Sequence, residues 1–507
     1  MKILAEQFLI GIDCGTTSVK ALLYNAAGVE MFQATKENQV IAQGLNSEQD
    51  MELLWQNVKG IIKELVQTSG ILPAQVAGIG VSGQGEGLWA VDHAGKPVRN
   101  AILWNDMRAN RLVDQIKAQG DLHARIKRIV ASYIKAGSTL TLLRWLKEME
   151  VENYARTTAV FSCKDWIRFR LTGKIAWEVT EATCSCVNLS TRQYAEDVFA
   201  WLDMPEVIDK LPPLISGYDK AGGLLADVAA DIGLLPQTPV AGGLLDLMST
   251  VVGLGAMGVG DTCIIVGTTG MTLRVHDSYA GDDLINGWGL HIDGKNYIKG
   301  VGSMAATPNL DWAIAQLFGT APRDEVYARI EAEIGERKPF AHGLLYHPHI
   351  SPAGERAPFF NPAATAGLLG IRQNTTKIDI IHAIMEGIAL SARDCLSAAG
   401  SIEQVFLSGG GAKNIAWAQI YADVLNADVY ITTANEPSAK GAAICAGLMC
   451  GMIDSMDKVK DNFLTIKTSV QPRAENVGIY DELYKMYKQT QAAMEPFWTW
   501  RIEQVIG

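Results

Sequence analysis

Residues 8–25 read FLIGIDCGTTSVKALLYN: an apolar run, a corner of small and hydroxyl residues, then an alternating run. Two strand-like runs around a short polar corner predict a β-hairpin. Asp13 closes the first strand, and Gly15, Thr16, Thr17 and Ser18 form the corner. AAG then turns the chain into VEMFQAT (29–35), a third alternating strand. Such a corner offers backbone N–H groups and hydroxyls to phosphate oxygens, while a carboxylate at a strand end can hold Mg²⁺ through water. Taken alone, the corner is equally well explained as an ordinary hairpin turn.

The corner recurs. Residues 261–277, DTCIIVGTTGMTLRVHD, place Gly267-Thr268-Thr269-Gly270 between two apolar strands. A third turn, Gly409-Gly410-Gly411-Ala412-Lys413-Asn414, separates the strand QVFLS from a helical stretch at 417–425, where bare backbone can flank an adenine or ribose. One hairpin early in each half predicts a duplicated architecture of facing lobes, divided as 1–245 and 246–507. Helices are expected at 50–67, 140–150, 164–171, 378–399 and 439–449, with further strands at VAGIGVSG (76–83), GLWAVD (87–92) and DVYIT (428–432). The tail from Asp457 is expected to be helical and packed on the second lobe.

A chain of 507 residues has room for two to four domains with real cores. Its 44 Lys and Arg against 55 Asp and Glu give a net charge of −11, which excludes a basic nucleic-acid footprint. Eight scattered cysteines and a start without a signal-peptide pattern predict a reducing, cytoplasmic setting. Cys184-Ser185-Cys186 lacks the partner pair of a zinc site and reads as buried thiols. His347 and His349 could share a strand face, but a polar loop around Pro348 is the better reading. Residues 239–260, PVAGGLLDLMSTVVGLGAMGVG, imitate a membrane span, yet six glycines and the embedded Asp246 argue for a globular core. An aspartate there is costly unless it is used, as a helix N-cap or as chemistry. Two G-x-G-x-x-G matches, at 78–83 and 253–258, lack the strand-to-helix setting of a dinucleotide fingerprint, and no Walker P-loop is present.

Taken together, IGIDCGTTSVKALLYN, GIGVSGQGEGLWAVD, AILWNDMRA, KDWIRFRLTG, TPVAGGLLDLMST, SGGGAKNIAWAQIYADVLN and EPSAKGAAICAG resemble the FGGY carbohydrate kinases over essentially the whole chain. Leu142, where many members carry lysine, and GGLLD, in place of three glycines, depart from the family pattern. The resemblance implies an α/β, two-lobed, actin-like (ribonuclease H-like) ATPase fold with a cleft between lobes, and ATP and Mg²⁺ as cofactors. It implies Asp246 as the general base on a substrate hydroxyl and Asp13 as the organiser of Mg²⁺. It further implies that Thr16, Thr17, Ser18, Lys20, Gly267 and Thr268 hold phosphates, that Gly410, Gly411 and Asn414 hold the nucleoside, and that Gln84, Glu86, Trp104 and Asp106 line the sugar pocket.

SEQDM, GQGEGLW, MAATPNLDW and SPAGERAPF look most like erythritol kinases, while NAILWNDMRA and LLRWLKE are similar to L-xylulose kinases. An acidic Glu86 would accept hydrogen bonds from vicinal hydroxyls and repel sugar acids. The expected substrate is therefore a small neutral polyol or ketose, an erythritol-type tetritol first and L- or D-xylulose second. A non-catalytic actin-like ATP-binding scaffold is the alternative of another class; a phosphatase would need a nucleophile or metal cluster that the sequence does not show. No nucleic-acid or membrane partner is expected, and a homodimer is left open.

Overall fold

The computed structural model describes residues 6–132, 134–279, 287–335, 337–397 and 402–505. In chain order, the elements that frame the site begin with β1 (Phe8–Cys14), β2 (Ser18–Asn25), β3 (Glu30–Glu37), α1 (Met51–Ser69) and β4 (Val76–Gly83). There follow α2 (Thr139–Met149), α3 (Cys163–Thr172), α4 (Val179–Ala182), β5 (Lys220–Gly223), β6 (Pro239–Ala241), β7 (Leu244–Leu245) and α5 (Asp246–Leu254). Next come β8 (Thr262–Val266), β9 (Gly270–His276), β10 (Tyr297–Ser303), β11 (Leu345–His347), α6 (Lys377–Leu396) and β12 (Gln404–Ser408). The chain ends with α7 (Ile415–Leu425), β13 (Asp428–Thr432), α8 (Pro437–Cys450), β14 (Ile466–Val470) and α9 (Ala474–Val505).

Two compact units result. The first takes residues 1–257, 276–298 and 434–465, and the second takes 258–275, 299–433 and 466–507. The first unit is thus discontinuous in sequence, which a single boundary near residue 245 does not describe. Its sheet runs β5-β6-β4-β1-β2-β3, with β7 also alongside β4. β1 is apolar and almost wholly buried, as a central strand must be, whereas β3 lies at the edge and is largely exposed. Register places Asp13 opposite Lys20 on antiparallel β2 and opposite Ser82 on parallel β4, while Leu245 pairs with Gly83. Asp13, Gln84 and Asp246 therefore leave the sheet at the carboxyl ends of neighbouring strands, where open α/β sheets bind ligands.

The apolar stretch around Asp246 is the core of this unit. Among the described residues, no helix is long and apolar enough to cross a membrane. Small residues let α8 press against both the sheet and α5. A Cβ on Gly80 would stand 1.8 Å from the Ala442 carbonyl oxygen, and one on Gly441 would stand 1.9 Å from the Ser249 carbonyl oxygen. Any larger residue would push whole elements apart. α1 starts where Asp50 accepts from the Glu52 and Leu53 N–H groups and stops at Gly70 in the left-handed region, burying Leu54, Val58, Ile61 and Leu65.

The second unit repeats the plan with the sheet β10-β9-β8-β12-β13-β14. Val266 and Gly270 close the β8–β9 hairpin in register. α6 and α7 cover the sheet, tied where Trp417 Nε1 donates to the Met385 carbonyl at 3.1 Å. α6 ends at Leu396, and the expected helical positions 398 and 399 lie outside the described residues. α9 docks on this unit through Tyr480 to Glu386 (2.8 Å) and Asn476 to Asp423 (2.8 Å). The start of the tail behaves differently: Phe463 packs against Tyr24 of the first unit, ring centroids 6.1 Å apart. His347 and His349 do not sit in a polar loop. Both are buried, His347 at the end of β11 bonded to Thr490 (2.9 Å) and His349 bonded to Glu355 (3.0 Å). Among the described residues no group of three metal-ligating side chains forms. All eight cysteines are free thiols, six of them buried.

Candidate active site

Two carboxylates stand at the carboxyl edge of the first sheet. Asp13 Oδ1 accepts the Ser438 hydroxyl at 2.8 Å, and Ser438 in turn lies 2.8 Å from the Ser82 hydroxyl. Burial pushes the Asp13 carboxyl up, opposed by Ser438 and by the Lys20 ammonium. Lys20 itself is paired with Glu436 at 2.6 Å. Asp246 opens α5, yet it does not cap the helix: among the described residues its Oδ1 accepts only from the N–H of the next residue, Leu247, at 2.6 Å. A true N-cap would reach one or two residues further. Burial first, and the Asp13 charge second, raise the Asp246 carboxyl to about 7. Lys135 and Lys164 pull the other way.

A second group fixes the first corner. The Thr16 hydroxyl donates to Gln84 Oε1 (2.9 Å) and accepts from Trp104 Nε1 (3.1 Å), while Gln84 Nε2 donates to Gln49 Oε1 (2.9 Å). The Thr16 hydroxyl proton is thus spent, and toward phosphate this residue offers its backbone N–H. Among the described residues, the hydroxyls of Thr17 and Ser18 have no hydrogen-bond partner. Gln84 is buried and held at both its amide oxygen and its amide nitrogen, so it positions the corner.

Glu86 sits in the left-handed region at φ 56°, a conformation that costs a non-glycine residue about 1–3 kcal/mol. Its N–H donates to Glu181 Oε1 at 2.5 Å, which holds the turn. Glu181 is fully buried, and burial raises its carboxyl to about 8. The Glu86 carboxylate is not the isolated charge that the sequence suggested: Oε2 lies 2.5 Å from Lys135 Nζ. Lys135 also stands over the Trp104 ring at 5.5 Å. The pair is neutral as a whole, so the expected repulsion of sugar acids by Glu86 loses its basis. Lys135 was missed because nothing in SYIKAGS marks it, 49 positions beyond Glu86.

Asp106 departs from the expected sugar contact. It is completely buried and accepts from Ser47 N (2.7 Å), Arg108 N (2.8 Å), Arg108 Nε (2.9 Å) and Arg108 Nη2 (2.9 Å). Its oxygens are occupied, so it clamps the loop that carries Trp104, which is itself 42% exposed.

In the second unit, Thr307 donates to the Gly267 carbonyl through its N–H and hydroxyl, both at 2.9 Å, and Ala306 N donates to the Thr268 carbonyl at 3.1 Å. These bonds pin the corner and leave Thr268 exposed. Gly410 is exposed with open space around it, whereas Gly411 is buried against Val266 and Trp417. Asn414 Oδ1 accepts from Trp417 N at 2.9 Å and caps α7. Its amide nitrogen is the part left to meet a ligand.

The donor set of the first unit fits Mg²⁺. Carboxylate and hydroxyl oxygens are the hard ligands that ion takes, and it keeps most of its water, needing only one or two carboxylates. The Asp13 charge that helps raise the Asp246 carboxyl marks a concentration of negative charge that favours a cation.

A parallel-cored unit with phosphate-type corners, repeated once, is the build of a two-domain actin-like kinase. Residues 8–253 match the N-terminal domain, and residues 263–450 the C-terminal domain, of the FGGY family of carbohydrate kinases, and the chain belongs to that family. It is 31% identical over 492 residues to a xylulose kinase of Bacillus subtilis (strain 168), covering 95% of this chain and 96% of the relative. It is 29% identical to an erythritol kinase of Brucella abortus (strain 2308), covering 97% of each. The crystal structure of xylulose kinase from Rhodospirillum rubrum superposes with a TM-score of 0.88 at 24% identity, over 97% of this chain and all of that one. The protein is thus a carbohydrate kinase with the actin-like fold.

Proposed function

We propose that this kinase transfers the γ-phosphoryl group of ATP to a hydroxyl of a small neutral polyol or ketose, with Asp246 as general base. The observation that carries the reading is Asp246 itself, raised to about 7 at a strand end and spending one oxygen on its own helix. A base poised near the working pH removes the hydroxyl proton as the oxygen attacks phosphorus, and ADP departs. The proton ends on an Asp246 carboxylate oxygen. Thr17, Ser18 and the backbone of the first corner, with Thr268 and Gly410 on the second unit, are assigned to phosphate and nucleotide. Gly267, Gly411 and Asn414 support those turns. Mg²⁺, organised by Asp13 through water, would neutralise charge on the phosphates.

For substrate, the reading is a chain of four or five carbons, in keeping with the xylulose and erythritol kinases that the chain resembles. An erythritol-type tetritol is the first reading, supported by the chain's likeness to the Brucella abortus erythritol kinase. A pentulose is the second reading, favoured by the Lys135–Glu86 pair, which adds a donor that an isolated carboxylate lacks. A coupled ADP-release assay across tetritols, pentitols, D-xylulose and L-xylulose tests the reading. ATP-dependent turnover of one class is expected; turnover of none would overturn it.

A further inference from the structure

The stretch SPAGERAPF (351–359) takes no part in the site described above, yet its Glu355 carries a carboxylate deep in the second unit, 2% exposed. Gly354 makes the turn possible: its φ is 72°, and a Cβ there would stand 2.4 Å from the Asn361 carbonyl oxygen. Glu355 and Asn361 close the turn by exchanging N–H to carbonyl bonds of 2.9 Å each. The two carboxylate oxygens then do different jobs. Oε2 lies 3.0 Å from His349 Nδ1, on a ring held edge-on by Phe359 and Trp498. Oε1 accepts from Met304 N (2.8 Å), Arg356 N (3.0 Å) and Ala357 N (3.5 Å).

Met304 is not part of that turn; it stands just past the end of β10. Arg356 Nε donates to the Gly302 carbonyl at 2.7 Å, so the turn grips the chain on both sides of Ser303. Ala306 and Thr307 follow at once, and they are the residues that hold the Thr268 and Gly267 carbonyls. A buried carboxylate with several acceptor sites thus joins His349 to the connector 304–307, and the connector to the second Gly-Thr-Thr corner. Without that acceptor the connector loses its fixed end, and the displacement passes straight to the corner. We propose that Glu355 is a positioning residue for the nucleotide phosphates: it touches no ligand, and it sets where the Gly267–Gly270 corner presents its N–H groups and the Thr268 side chain. The assignment rests on the reading of that corner as a phosphate site and adds the residue that holds it in place.

The test compares a ligand with phosphates and one without. Calorimetric titration of ADP and of adenosine, both with Mg²⁺, is carried out on the unmodified enzyme, Glu355→Asp and Glu355→Gln, with melting curves recorded for each. Aspartate is one methylene shorter and cannot span from His349 to Met304. Glu355→Asp should weaken ADP by about tenfold or more and adenosine by less than about threefold, since hydrogen bonds to an ionised phosphate are the strong ones and depend on alignment. Glu355→Gln keeps the acceptor that Met304 uses and should recover most of the loss. A lower melting temperature with an unchanged ADP-to-adenosine ratio would make Glu355 structural only and overturns the proposal. So does an equal weakening of both ligands, or a loss in Glu355→Gln as large as in Glu355→Asp. ADP bound no tighter than adenosine by the unmodified enzyme is a different failure: it removes the phosphate reading itself, and the role of Glu355 with it.

Discussion

Asp106→Ala separates a sugar contact from a structural clamp. The native carboxylate receives four hydrogen bonds, three of them from Arg108, whose side chain is only 7% exposed. Removing one partner of a buried ion pair leaves an uncompensated charge and costs about 3–5 kcal/mol. Arg108 keeps Glu48 at 2.7 Å and the Trp145 face at 5.0 Å, which puts the expected loss at the lower end, about 3 kcal/mol. For a unit of about 300 residues, with an unfolding entropy of roughly 2.1 cal/mol/K per residue, that corresponds to a fall of about 5 °C in melting temperature. Calorimetry supplies the stability, and the coupled assay below the transition supplies kinetics. The folded fraction should keep its KM for sugar within about threefold. Asp106→Ala/Arg108→Met should be less destabilised than Asp106→Ala, since the stranded cation is gone. An unchanged melting temperature with a tenfold higher KM would refute the clamp and return Asp106 to the sugar pocket.

Glu86→Ala should raise KM for the neutral substrate by about tenfold through loss of the group that anchors Lys135. Lower thermal stability with unchanged relative kcat/KM across the sugar panel would make Glu86 a turn residue only. Glu181 titrates at about 8 in the fold against an ordinary 4.5. Folding therefore favours its protonated form, and its contribution is fully present below about 4.5 and lost as pH rises through 8. Glu181→Gln should make denaturant stability flatter than the unmodified enzyme's between pH 5 and 9, and matching slopes would contradict the burial argument.

How far the sequence reached is set by range. Both Gly-Thr-Thr corners, the strand ends they follow and the half-buried carboxylate at Asp246 are local patterns, and each was legible because alternation and turn chemistry act over a few residues. The small-residue run of α8 was legible as a helix, but not as part of the first unit: that placement depends on Gly80 and Gly441 meeting backbone from distant segments. Partnership was the other blind spot. Asp106 looks like an available acidic group until Arg108 and Ser47 close on it, and Glu86 looks like a lone carboxylate until Lys135 folds beside it. Charge at a site is a sum over neighbours, and charged neighbours here are as far as 416 positions apart, as between Lys20 and Glu436.

The base assignment is tested most directly by the pH dependence of single-turnover phosphoryl transfer in the unmodified enzyme and in Asp246→Asn. In the unmodified enzyme the rate should rise with pH through about 7 as Asp246 loses its proton. Asp246→Asn should bind ATP normally, lose about 10²–10⁴ in rate, and show no inflection near 7. Near-normal transfer by Asp246→Asn, or the same inflection in both, would contradict the central claim.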